Sequence, residues 1–196
     1  MNKKHRVYSF LINNAYKSIR QSTIHSTCKC TAEYACKLIK KLAMKGIIIK
    51  NGRNSVFVKD PLMLSFVLAF ETRNKQPLMY KTPKFNDLLS VLNQTTYSIT
   101  MDSALNIKES KKPSKIHAYV LGKDIEILNN NFHKTIKNPN LIIYPSDHFN
   151  FTKQQLLNDK FLVTDYDLFV DLLRNSKISK AINFAKKYKL FKTSMF

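Results

Sequence analysis

The sequence predicts an α+β protein with a small basic helical module at its N-terminus and a mixed α+β region after it. Three observations carry that expectation. Apolar residues recur at helical spacing through the first 45 residues and give way to two β-branched runs joined at Asn51-Gly52. From Thr95 onward, short β-branched and aromatic runs alternate with helical patterns. The charge is also uneven. The 196 residues hold 33 Lys and Arg against 13 Asp and Glu, a formal net charge of +20. Residues 1–59 carry 13 of those bases and a single acid, Glu33. Such an imbalance points to an anionic partner, because a merely solvated surface mixes both signs.

Composition excludes several classes. An apolar fraction of 44% is too high for a disordered basic tail. Three glycines, Gly46, Gly52 and Gly122, cannot build a Gly-rich phosphate cradle. The most apolar run, Leu62–Phe70, is far shorter than the roughly 20 residues of a membrane span. No signal peptide is legible at the N-terminus. The expectation is a cytoplasmic protein without a membrane partner. The richness in Lys, Ile and Asn suggests an AT-rich bacterial or archaeal genome.

The N-terminal elements follow in order. Val7, Phe10, Leu11 and Ala15 mark a first helix within 3–16. Ser18 is read as the cap of a short second helix, with Ile19 and Ile24 facing inward. Cys28-Lys29-Cys30 makes a turn, and Thr31 caps a third helix with Ala35, Leu38, Ile39 and Leu42 inward. Its other face carries Glu33, Tyr34, Lys37, Lys40, Lys41 and Lys45, and Gly46 stops it. Ile47–Lys50 and Ser55–Val58 then form a hairpin around Asn51-Gly52, decorated by Lys50, Arg53 and Lys59.

This order of elements, and the stretch TAEYACKLIKKLAMKGIIIKNGRNSVFV in particular, resembles the winged helix-turn-helix family of DNA-binding domains over residues 1–60. The resemblance implies a recognition helix that enters a major groove and a wing that reaches the flanking backbone. Lysines chiefly meet phosphates and give affinity. Lys40, Lys41, Lys45 and Lys50 suit that role, while Thr31, Glu33, Tyr34 and Lys37 near the helix start suit base readout. Arg53 and Asn54 suit the wing tip. The competing expectation is a winged-helix scaffold that binds protein, as in a replication or partition adaptor.

His25, Cys28, Cys30 and Cys36 give H-x2-C-x-C-x5-C, a thiolate–imidazole set that zinc or an iron–sulfur cluster would accept. The C-x-C spacing departs from the usual knuckle. The cysteines are therefore read as small buried hydrophobes, and neither metal nor cofactor is expected.

Asp60-Pro61 opens a helix that is apolar nearly all round to Phe70, which calls for burial on more than one side or a subunit interface. Residues 61–84 are read as this connecting helix and a polar linker, and residues 85–196 as a regulatory or interaction domain. Within that domain Phe85–Asn93 is a helix, Tyr97–Thr100 a strand, Asp102–Asn106 a helical turn, and Lys115–Leu121 with Asp124–Leu128 a hairpin turned at Gly122. Leu141–Tyr144 and Phe161–Val163 are inner strands. Helices follow at 165–174, with Leu168, Phe169, Leu172 and Leu173 inward, and at 178–188, with Ile182 and Ala185 inward.

The segments YSITMDSALN, NLIIYPSD, FLVTDYDLFVDLLR and AINFAKKY, following the N-terminal module, resemble the AbiE-type abortive-infection antitoxins and related prokaryotic regulators. That resemblance implies autoregulation of an operon, a cognate toxin as a further partner, and a C-terminal domain distantly similar to nucleotidyltransferases; a homodimer on duplex DNA is expected from the all-round apolar helix 61–70 and the usual two-fold geometry of winged helices. Asp165-Tyr166-Asp167 has the D-x-D form that such an enzyme uses to hold Mg²⁺, but at a helix start acids also favour the dipole. No Gly-Ser turn accompanies it, and His117, His133 and His148 are scattered, so no enzyme is expected.

Overall fold

The computed structural model describes residues 3–71, 76–82 and 85–191. The fold is α+β, and the chain divides into two compact units. The first comprises residues 1–73 and 165–196, the second residues 74–164. The expected boundaries near 60 and 84 are drawn differently, because the last two helices group with the N-terminal elements.

The first unit begins with α1 (Lys3–Asn13), β1 (Ser18–Arg20), α2 (Gln21–Thr27), α3 (Ala32–Met44), β2 (Ile48–Asn51), β3 (Ser55–Val58) and α4 (Pro61–Glu71). Its three strands form an antiparallel sheet in the order β1-β3-β2, with Ile19 opposite Val56 and Ile49 opposite Phe57. Ser18 thus starts a strand, not a helix. Three residues, with Ile19 apolar between polar neighbours, are too short to separate the two periods, and the distant β3 decides the matter. Ile19 and Ile24 are buried all the same.

Local chemistry fixes the α3 boundaries. The Thr31 hydroxyl accepts from the Tyr34 amide at 3.2 Å. At the other end Ile47 N donates to Leu42 O and Gly46 N to Ala43 O, the paired bonds of a Schellman stop. Gly46 sits at φ +70°, where a side chain is disfavoured. Asp60 caps α4 by accepting from the Met63 amide at 2.8 Å, with Pro61 at the first helical position. Leu64, Leu68 and Ala69 of α4 are buried, and the helix packs on α1.

The second unit holds β4 (Leu78–Lys81), α5 (Phe85–Leu92), β5 (Tyr97–Thr100), α6 (Met101–Lys108), β6 (Ile116–Leu121), α7 (Ile125–Asn131), β7 (His133–Lys134), β8 (Leu141–Ser146), β9 (Gln155–Leu157) and β10 (Lys160–Leu162). Their order is β7-β4-β8-β6-β5-β10-β9, a mixed sheet in which β6–β8 and β5–β10 run parallel. Two expectations change here. The linker contains β4, which sits between β7 and β8; the rest of it at 72–75 and 83–84 lies outside the described residues. The residues after Gly122 form a 3₁₀ turn and α7 instead of a return strand. Both edges of β6 are already taken, by β5 and β8, so a hairpin partner has no edge to pair with. Gly122 accordingly keeps an ordinary φ.

The chain then re-enters the first unit through α8 (Asp165–Arg174) and α9 (Ile178–Lys187). Leu168, Phe169, Leu172 and Leu173 are buried as expected. In α9 the inward residues are Ala181, Phe184 and Ala185, with Ile182 only half-buried. A polar seam joins α8 to α1. Ser9 Oγ donates to Asp167 at 2.8 Å and Asn13 Nδ2 donates to it at 3.1 Å. Arg174 pairs with Asp171 at 3.1 Å and lies 2.9 Å from His5 Nδ1. Among the described residues no helix is long and apolar enough to cross a membrane.

Candidate nucleic-acid interface

The helical period of α3 sorts its side chains into sectors. Ala35, Leu38, Ile39 and Leu42 are buried. The sector opposite them holds Glu33, Lys37, Lys40 and Met44, all exposed, Met44 at 84%. Thr31 is exposed as well, although its hydroxyl is engaged in the cap. Tyr34 is half-buried on the flank.

Lys41 and Lys45 point elsewhere. Their ammonium groups reach Glu71, the last residue of α4, at 3.3 and 3.2 Å, and Lys4 of α1 joins the same carboxylate. Burial alone would raise the Glu71 pKa. The hydrogen bonds from Lys4, Lys45 and Lys41 and the charge of Lys4 overcome that and bring it down to about 2. The six-residue basic face expected for α3 is thus two faces: an open one carrying Lys37 and Lys40, and a paired one carrying Lys41 and Lys45. Glu71 escaped the sequence reading because it stood at the start of the presumed linker.

The β2–β3 hairpin stands beside the start of this helix. Asn51 pairs with Ser55, so the connection is the three residues Gly52-Arg53-Asn54, not a two-residue Asn-Gly turn. Gly52 takes φ +69° there. Lys50, Arg53 and Asn54 are exposed. The hairpin tip is tied down, because the Gln21 amide at the start of α2 donates to Asn54 O at 2.8 Å. Between tip, α2 and α3 lies a cleft of about 780 Å³, lined by Arg20, Gln21, His25, Ala32, Arg53 and Asn54 among others. No acid among the described residues lines it. Nothing in the sequence around Ser18 marks Arg20 and Gln21 as cleft residues, because β1 owes its existence to the distant β3.

His25 therefore lines this cleft. Cys28 is fully buried and Cys30 and Cys36 half-buried; none of the three is in a disulfide. Burial pushes the Cys30 thiol up, with Lys3 and Arg6 pulling the other way. Among the described residues no group of three His, Cys, Asp or Glu is arranged to hold a metal ion. Of the D-x-D pair, Asp167 accepts from Ser9 and Asn13 in the α1–α8 seam. No family model matches the chain, and no curated protein matches it in sequence.

Proposed function

We propose that this chain is a cytoplasmic transcriptional regulator that binds duplex DNA through a winged helix, with α3 as the helix that enters the major groove and the β2–β3 hairpin as the wing. The observation that carries the reading is the acid-poor surface that α3 shares with the hairpin: Lys37, Lys40, Lys50 and Arg53 are exposed, against Glu33 alone. The order helix, strand, helix, helix, strand, strand, with β3 between β1 and β2, supports it. So does the bond from Gln21 to the hairpin tip, which sets the wing relative to the helices. A helix with one buried and one open basic face suits a groove about 12 Å wide.

The charge drawn together by the fold adds to the reading. The first unit carries 21 Lys and Arg against six acids, the second 12 against seven. Self-association belongs to the proposal: Met63 and Phe70 on α4 are 49% and 66% exposed, and two-fold dimers on paired half-sites are the usual geometry for such domains. The resemblance to AbiE-type antitoxins extends the proposal to control of the chain's own operon and a cognate toxin met by the second unit.

The test is duplex binding measured across a salt series. Lys37→Ala with Lys40→Ala is expected to weaken binding by about tenfold or more and to reduce the salt slope by about two. Unchanged affinity and slope would remove α3 from the interface.

A further inference from the structure

Lys4, Lys41, Lys45 and Glu71 are brought together from three helices. Among the described residues three ammonium groups, from Lys4, Lys41 and Lys45, reach this one carboxylate. The cluster is also open to water: the Lys41 and Lys45 side chains remain 45% exposed while Glu71 is 23% exposed. A second feature bears on the same place. Tyr8 is fully buried, Lys4 lies over its ring at 5.7 Å, and its hydroxyl has no hydrogen-bond partner. Burial, and after it the charges of Glu71 and Tyr34, push the pKa of that hydroxyl up, so it stays a neutral donor. The cluster thus offers more donors and more positive charge than a two-oxygen carboxylate satisfies. Inorganic phosphate or a phosphomonoester, with a further terminal oxygen and a second negative charge, matches it better, and a duplex phosphodiester matches it as the carboxylate does.

We propose that Lys4, Lys41 and Lys45 form an oxyanion site in which the Glu71 carboxylate is the resident anion, and that this site takes a phosphate group once Glu71 is displaced or neutralised. Taking the incoming phosphate to be that of duplex DNA rests on the function proposed above; the site itself does not. Glu71 then acts as an internal competitor. It withholds Lys41 and Lys45 from the polyanion and confines binding by α3 to the sector of Lys37 and Lys40. A carboxylate held within the same fold competes at a high effective concentration, so the exchange is governed by the charge and reach of residue 71.

Two arms test this on the full chain, with the wild type beside Glu71→Gln. In the first, duplex binding is measured across a salt series. Glu71→Gln is expected to bind several-fold tighter at low salt and to steepen the slope by about one, as the vacated site takes one further phosphate. In the second, thermal unfolding is followed in inorganic phosphate and in chloride of equal ionic strength. Glu71→Gln is expected to gain more from phosphate than the wild type does, and the gain is expected to vanish when Lys41→Ala and Lys45→Ala are added. A wild type that fails to bind duplex, beside a Glu71→Gln that gains from phosphate, would sink the DNA reading and leave the anion site standing with free phosphate as its ligand. An unchanged slope together with no differential phosphate effect would overturn the site and leave Glu71 a clamp between helices. Should Glu71→Gln fail to fold, Glu71→Asp, which keeps the charge but withdraws it by one methylene, is expected to move both readouts the same way by less. No movement in either readout of that variant overturns the proposal.

Discussion

The Glu71 cluster makes a quantitative prediction about stability that is independent of any ligand. Its carboxyl falls from an ordinary value near 4.5 to about 2 in the folded chain. A depressed carboxylate stabilises the fold only while ionised. Its contribution is therefore complete above about pH 4.5 and is lost as pH falls toward about 2. Lowering a carboxyl from near 4.5 to about 2 corresponds to about 3.4 kcal/mol for a fully shielded group. Lys41 and Lys45 are nearly half exposed, and solvent screening at such positions cuts ion-pair energies severely. The expected contribution is about 1–2 kcal/mol, or a few degrees in Tm for a chain of this size. The assay is urea unfolding of the wild type and Glu71→Gln at a series of pH values. Near neutral pH the variant should be less stable by that amount. The gap should close between about pH 4.5 and about pH 2, and it should shrink in high salt at every pH. Using the difference between the two proteins removes the acid sensitivity they share. A gap that stays constant through the acid range would mean that packing, not charge, carries the effect. No gap at neutral pH would mean that the three lysines do not hold α4 at all.

The α1–α8 seam and the exposed face of α4 give two further expectations. Asp167→Ala removes the acceptor for Ser9 and Asn13 and should cost about 2 kcal/mol, with Asp167→Asn, which keeps one acceptor, costing about half; hydrogen exchange should show the α8 amides opening in step with that loss. If α4 mediates self-association, sedimentation at micromolar concentration should give a dimer for the wild type and a monomer for Met63→Glu with Phe70→Glu, and a monomeric wild type would strike the dimer from the proposed function.

What was legible in the sequence were the elements whose boundaries are fixed by near neighbours. Thr31, Gly46 and Asp60-Pro61 act within a turn of themselves, so α3 and the start of α4 can be read from sequence alone. The hairpin was legible for the same reason, with only its turn one residue longer than Asn51-Gly52 suggests. The failures are strands whose partners are remote. β1 is three residues long and exists because β3 lies beside it. β4 pairs with β8, more than 60 residues further on, and nothing in its own four residues distinguishes it from a linker. The false hairpin at 115–128 is the same error inverted: the alternation in β6 is real, but its edges are taken by β5 and β8.

The candidate interface divides along the same line. Which residues of α3 are buried follows from its period, so the exposure of Lys37 and Lys40 could be foreseen. What becomes of Lys41 and Lys45 could not, because the acid that holds them is 26 or more residues away at the end of another helix. The return of α8 is a related case. His5, Ser9 and Asn13 recur every four residues along α1 as a polar stripe, yet His5 and Ser9 are buried. Their partners Asp167 and Arg174 lie more than 150 residues away. A polar stripe on an otherwise buried helix is thus a sign of a second helix with complementary groups, and here that helix brings α9 and its lysines into the basic unit. The fold thus gathers 15 of the 20 excess positive charges into the first unit. Glu71 bears on that charge directly, since three lysines hold it at once. On the proposal above, removing a single negative charge there would release Lys41 and Lys45 toward a polyanion, whereas the same change at exposed Glu33 would only neutralise one position of the open face.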